Sequence, residues 1–346
     1  MNSLTLRTFF VATIFLLSAC QNSNKKVLSS GHQCSQPGKQ ITAGSFDWDD
    51  NIAYLPTPGL LYKKSLECKR ETVSPVREPD LYKMGEQCVK RVSTEEFTEM
   101  RHVVGKKGME LEDYEIDASR SFWYFRDNEG MNWFDRDVKA ALKDSTREWR
   151  GPSWKAFVAA LSDKDSSEWT SIITARGHSQ EFMHQTLKYL QHKKLITHLP
   201  PQTSLHAVSH PNYTGTASNP SEAKTQAMKD ILDCMSRRPL STKAYKVVTP
   251  NSKPGEIRYK ALHLWGFSDD DWGNYEKAQK VLSDEVAKGR WSNIKITLFY
   301  TGKMKRDEKG QIVPRETTVI QSSGKLRPQM GIERNEPDKI VLARKR

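Results

Sequence analysis

Five short apolar runs recur along the chain with amphipathic helical patterns between them, and this alternation constrains the fold more than any other feature. The runs are Ile41 to Phe46, Thr170 to Thr174, Leu205 to Ser209, Ala261 to Phe267 and Ile294 to Tyr300. Helical periodicity occupies residues 153–162, 179–194, 221–237 and 273–288, with Gly177, Pro220 and Gly289 as boundary signals. Strand and helix in alternation predict an α/β fold, a parallel sheet covered by helices on both faces.

More than a hundred residues separate the first two runs, too many for a single crossover. The interval carries signals of its own. Ser93-Thr94-Glu95-Glu96 forms a capping box that opens a helix through Val104, Phe122 to Phe125 reads as a strand-like aromatic run, and Asp135 to Leu142 reads as helical. Residues 58–150 are therefore expected to form an inserted α+β domain, leaving 41–57 and 151–302 as the core. Residues 303–346 are polar and basic and read as a tail.

The N-terminus reads as an address. Arg7, the apolar stretch Phe9 to Leu17 and the sequence Leu17-Ser18-Ala19-Cys20 have the three parts of an export signal. The Leu-Ser-Ala-Cys run resembles a bacterial lipobox, which implies a signal peptide at 1–19, lipidation of Cys20 and a tether over 20–40. Gln21 in place of Asp implies, by resemblance to enterobacterial sorting, the outer membrane; a periplasmic face is expected, with the surface as the open alternative. Thr8 to Ala19, the longest apolar run, is shorter than the roughly 20 residues of a spanning helix. Cys34, Cys68, Cys88 and Cys234 permit disulfides in an exported chain, and Cys68 with Cys88 would close a short loop; the pairing stays open.

Two acidic loops sit where chemistry is expected. Asp47-Trp48-Asp49-Asp50-Asn51 follows the first apolar run, and Asp269-Asp270-Asp271 follows the fourth. Ligands of parallel sheets bind beyond the carboxyl ends of the strands. Unit charges about 4 Å apart repel by about 4 kcal/mol at an effective dielectric of about 20, so neighbouring carboxylates call for a cation. Oxygen donors alone favour Mg²⁺ over zinc or copper. Calcium in an EF-hand loop fits less well, because Ile52 stands at the glycine position and Pro58 at the terminal glutamate position.

These residues resemble the motifs of the haloacid dehalogenase-like superfamily. Asp47-Trp48-Asp49-Asp50-Asn51 is similar to its first motif, Ile172-Ile173-Thr174-Ala175-Arg176-Gly177 to the second, Lys224 to the third and Asp269-Asp270 to the fourth. The resemblance implies a Rossmann-like core with the insertion at the first cap position. It also implies a phosphatase of small phosphate monoesters, with Asp47 as nucleophile and Asp49 as general acid and base. Mg²⁺ is expected at Asp47, Asp49 and Asp269 or Asp270, and phosphate at Thr174 and Lys224. Arg176 is a further phosphate candidate or a surface ion-pair partner. Asn51 departs from the usual Thr or Val, and three consecutive Asp residues leave the metal ligand open, with Asp269 the first choice and Asp270 close behind.

Other readings remain. A catalytically silent relative that binds a phosphorylated ligand or an envelope partner shares the same motifs. Arg126-Asp127-Asn128-Glu129-Gly130-Met131 is a rival acidic turn, weakened by Met131 and by the longer Glu129. His206 and His210 have the spacing of a helical zinc pair, but on a strand they stand about 13 Å apart. His178 could approach substrate or simply start a helix. The run Trp265, Trp272 and Tyr275 reads as packing. Asn212-Tyr213-Thr214, a formal sequon, is discounted in a bacterial chain. The net charge of +12 suggests a polyanion partner. Residues 303–346, however, hold twelve Lys or Arg against six Asp or Glu, half of that excess. Specific nucleic-acid binding is therefore not expected.

Overall fold

The computed structural model describes residues 40–65, 68, 88–117, 120–128, 130–213, 219–238, 262–302, 317–323 and 327–332. The expected signal peptide, Cys20, Cys34, Glu129, Thr214 and nearly all of the tether lie outside them.

Strands β1 (Thr42–Phe46), β5 (Ser171–Thr174), β6 (Leu205–Ala207), β7 (His263–Asp269) and β8 (Ile294–Tyr300) are parallel, in the order β8-β7-β1-β5-β6. The chain builds from β1 outward to β6, then returns past β1 to place β7 and β8 on the other side. The strand order thus reverses between β1 and β7, which opens a crevice at their carboxyl ends.

Helices on both faces account for the continuous burial of β5 and β6. Successive side chains point to opposite faces, so Ile172 and Ile173 enter different cores. One core packs Ile173, Ala43 and Phe267 against α6 (Pro220–Ser236) and α7 (Trp272–Ala287), through Ala227, Met228, Leu232, Tyr275 and Leu282. The other packs Phe46, Ile172 and Leu205 against α2 (Trp133–Lys143), α3 (Trp154–Ala160) and α5 (Gln180–His192). A single turn, α4 (Lys164–Ser167), leads into β5. Each fully buried Leu, Ile or Phe here is worth about 1.5–3 kcal/mol relative to exposure. Helix α2, from the segment expected to be an insertion, therefore lies on the sheet.

Within that segment β2 (Gly59–Lys63) is the centre of a small antiparallel sheet, between β3 (Val89–Val92) and β4 (Tyr114–Glu115). Cys68 and Cys88 are disulfide-bonded and pack with Leu60, Tyr62 and Val89; Cys234 is also disulfide-bonded. Ser93 and Glu96 complete the expected capping box of α1 (Thr94–Met100). The helix ends before Val104, ahead of a turn in which Gly105 takes a φ of +73°.

Two expectations fail locally. Phe122 to Phe125 is not a strand: Trp123–Phe125 form a 3₁₀ turn. Residues three apart eclipse in that geometry, and the Phe122 and Phe125 rings meet at 5.9 Å. The polar tail is not wholly tail either. Strand β9 (Thr317–Ser323) pairs antiparallel with β8, and β10 (Arg327–Ile332) with β9. The β-branched run Thr317-Thr318-Val319-Ile320 suits a strand, and Ile320 joins the core. Among the described residues no helix is long and apolar enough to cross a membrane.

Candidate active site

The crevice between β1 and β7 gathers both acidic loops. Asp47 leaves β1 with its backbone N–H donating to the Ser268 carbonyl at 2.9 Å, which ties the two strand ends together. Asn51 extends this tie. Its side-chain nitrogen faces the carbonyl oxygens of Asp47 and Ser268 and the Ser268 hydroxyl, each at 3.0 Å. Its oxygen accepts from Ser153 at 2.7 Å and from Thr301, just past β8, at 2.6 Å. One wholly buried amide thus joins β1, β7, the end of β8 and the start of α3.

Lys224 is brought in by α6. Asn219 accepts from the Glu222 N–H and Pro220 occupies the first turn, so the helix starts where the lysine, one turn later, points into the crevice. The ammonium is buried, 2.8 Å from Asp269 Oδ2 and 3.0 Å from Asp47 Oδ1. Asp269 is further held by the Asp271 N–H at 2.9 Å and by the Asn274 amide at 3.2 Å. The Asp270 carboxylate forms no hydrogen bond or ion pair among the described residues. One oxygen from each of Asp47, Asp269 and Asp270 lies within 4.8 Å of the others.

One ammonium therefore faces three carboxylates. Burial pushes Asp47 up to about 8, with Lys224 opposing and Asp269 and Asp49 adding to the rise. Asp269 is also raised by burial, and Asp270 well above the usual carboxylate range by burial and then by Asp269 and Asp47. Burial acts to lower Lys224, but Asp269 and Asp47 hold it above its ordinary value. Asp50 is pushed up to about 7 by burial and then by Asp49. The donors of the cluster are hard oxygens only, a set that could hold a hard divalent cation.

Thr174 ends β5, the strand beside β1, and its buried hydroxyl lies 3.3 Å from the Arg176 N–H. Arg176 is wholly buried and grips Asp49 with two donors, Nη2 to Oδ1 at 2.6 Å and Nε to Oδ2 at 2.8 Å. Nη2 also donates to Thr57 at 2.7 Å, and Thr57 to Asp137 at 2.6 Å. The segment between β1 and α3 touches the rim as well, through Thr94 donating to Asp50 at 3.0 Å and Arg101 paired with Asp271.

Asp127 of the rival turn accepts from the Ser179 N–H at 2.6 Å, at the start of α5. His178 is wholly buried with its ring 5.6 Å from Phe134, and burial and then Arg176 push it well below its usual range. His206 is buried beside Tyr213, so it is not a solvated histidine, and His210 accepts from the Asn212 N–H. Trp265 and Tyr275 are core residues. Sequence reasoning weighed Asn51 only as a calcium-loop position and as a departure from the family motif, and gave no role to Thr57, Asp137, Ser153, Ser268 and Thr301. Only Thr301, directly after β8, carried a strand-end signal; Asp137 lies inside α2, Ser153 occupies the N-cap position of α3 and Ser268 lies within β7.

No family model matches the chain, and no characterised protein or solved structure shows significant similarity to it.

Proposed function

We propose that this chain is a Mg²⁺-dependent phosphatase of small phosphate monoesters, built on a core like that of the haloacid dehalogenase-like superfamily. The carrying observation is the buried Lys224 between Asp47 and Asp269, beside Asp270, at the reversal of strand order. Asp47 is the nucleophile, forming an aspartyl-phosphate. Asp49 protonates the leaving oxygen and then takes a proton from the attacking water. Lys224 and the Thr174 hydroxyl hold phosphoryl oxygens as charge shifts between them. Asp47, the Asp49 carbonyl and Asp270 would hold Mg²⁺, which supplies charge neutralisation between nucleophile and phosphate. Asp270 is favoured over Asp269 because the latter's oxygens are already occupied by Lys224, Asn274 and the Asp271 N–H. The segment 58–150 would serve as a cap, a reading supported by the Thr94 to Asp50 and Arg101 to Asp271 contacts. Lipidation at Cys20 would tether the enzyme to the outer membrane of a bacterial envelope.

The test is hydrolysis of p-nitrophenyl phosphate by the full chain with and without Mg²⁺. Activity that needs Mg²⁺ and disappears in Asp47→Asn is the expected result. A wild type inactive on a panel of phosphate esters across pH sinks the enzyme reading. The second reading, a silent phosphate-binding relative, draws on the double grip of Arg176 on Asp49. It predicts phosphate binding without turnover.

A further inference from the structure

Arg176 stands two residues beyond Thr174, where a phosphate contact was expected, yet its donors are turned elsewhere. Nε and Nη2 both engage Asp49, and Nη2 reaches Thr57 as well, which leaves only Nη1 without a partner. The guanidinium is fixed on its other sides. Its Cζ lies 4.8 Å from the Phe125 ring and 5.3 Å from the Phe134 ring, and Thr57 hands the far side to the buried Asp137. Asp137 is in turn paired with Arg136 at 2.9 Å. A planar fork held at its back by a hydroxyl and a second carboxylate, and on its face by two aromatic rings, has one orientation to offer. That orientation presents two parallel donors to Asp49.

We propose that Arg176 is a positioning residue for the proton-transferring carboxylate of Asp49, itself held in place by Thr57 and Asp137, and not a ligand of the substrate phosphate. The inference rests on the phosphatase reading. Three parts of the chain meet in it: Asp49 from the loop after β1, Arg176 from the loop after β5, and Asp137 from α2. Lysine at 176 retains the charge but not the fork, so it does not substitute. Removing the Thr57 hydroxyl leaves both charges in place but frees the guanidinium.

The test compares full-length wild type, R176K, T57V, D49N and the R176K/D49N pair with Mg²⁺. Substrates are p-nitrophenyl phosphate, whose leaving group needs little protonation, and glycerol phosphate, whose leaving group needs it fully. Inorganic phosphate binding is measured in parallel by calorimetry. R176K is expected to lower kcat/KM on glycerol phosphate by about 100-fold or more and on the aryl ester by less than about 10-fold, in line with the usual contribution of general acid catalysis. Phosphate affinity stays within about 3-fold, and in the D49N background R176K costs less than about 3-fold more, because the two residues act as a unit. T57V shows the same leaving-group bias in weaker form, and it decides the matter alone if R176K does not fold. Loss of phosphate affinity by about 10-fold or more in R176K makes Arg176 a substrate ligand through Nη1 and overturns the proposal. Equal losses on both esters, additive with D49N, reduce it to a structural ion pair and do the same. An active wild type with an unimpaired R176K removes this inference alone. A wild type that neither hydrolyses nor binds phosphate removes the phosphatase reading and this inference with it.

Discussion

At the residue scale, the acidic side chains and the groups that hold them do different work, and substitution should separate the two. Asp270→Asn is expected to weaken Mg²⁺ binding by about tenfold or more with little change in melting temperature, because no described side chain depends on it. Asp269→Asn strips Lys224 of its shorter ion pair at 2.8 Å and should cost about 3 kcal/mol of stability, as breaking buried pairs does. Calorimetric Mg²⁺ titration and thermal melts of both variants check this, and the reverse ordering sinks the assignment. Asn51→Ala leaves the Thr301 hydroxyl without its acceptor and Ser153 with only the Ser268 hydroxyl at 3.1 Å, and should cost about 1–3 kcal/mol in urea unfolding. The carboxylates were legible as sequence because an acidic loop after an apolar run is a local pattern. Asn51 was not, since its partners lie up to 250 positions away.

At the scale of elements, strand ends carry the site and glycines set how closely they approach. A Cβ on Gly302 would lie 2.3 Å from the Asp270 carbonyl oxygen and 2.5 Å from the Tyr300 hydroxyl. Backbone cannot yield as a flexible side chain does, so Gly302→Ala must displace the Asp270 loop. Its Mg²⁺ affinity is expected to fall more than its melting temperature, and an unchanged affinity counts against a metal at Asp270. The Cys68–Cys88 bond closes a loop of sequence separation 20. Cys68→Ser with Cys88→Ser should cost about 3 kcal/mol on the loop-entropy account, read by denaturant unfolding under oxidising conditions. The parallel strands were readable because each is a short, mostly apolar segment between breakers. Strand β9 was hidden among charged residues, and the aromatic run at Phe122 carried strand propensity that packing of rings three residues apart overrode.

At the scale of the molecule, a cluster of buried carboxylates makes stability depend on pH and on a cation together. Asp47 and Asp50 have ordinary values of 3.8 and are raised to about 8 and about 7 in the fold. Between about pH 4 and pH 8 the folded chain keeps protons that the unfolded chain has released, so folding weakens as pH rises through that window. With chelator present, the melting temperature should fall from pH 5 to pH 8, and millimolar Mg²⁺ should flatten the decline by replacing those protons. A decline that Mg²⁺ leaves untouched shows that the cluster does not bind it. The α/β class, the order of its parallel strands' sequence segments and the acidic loops at their ends followed from the sequence alone, because apolar periodicity and strand-end chemistry are written within a few neighbouring residues. Which loops meet, which carboxylate is left open to a cation, and that Arg176 turns to Asp49 were decided by the tertiary structure. These depend on the reversal of strand order between β1 and β7, and on burial that makes each charge seek whichever partner the packing places nearest.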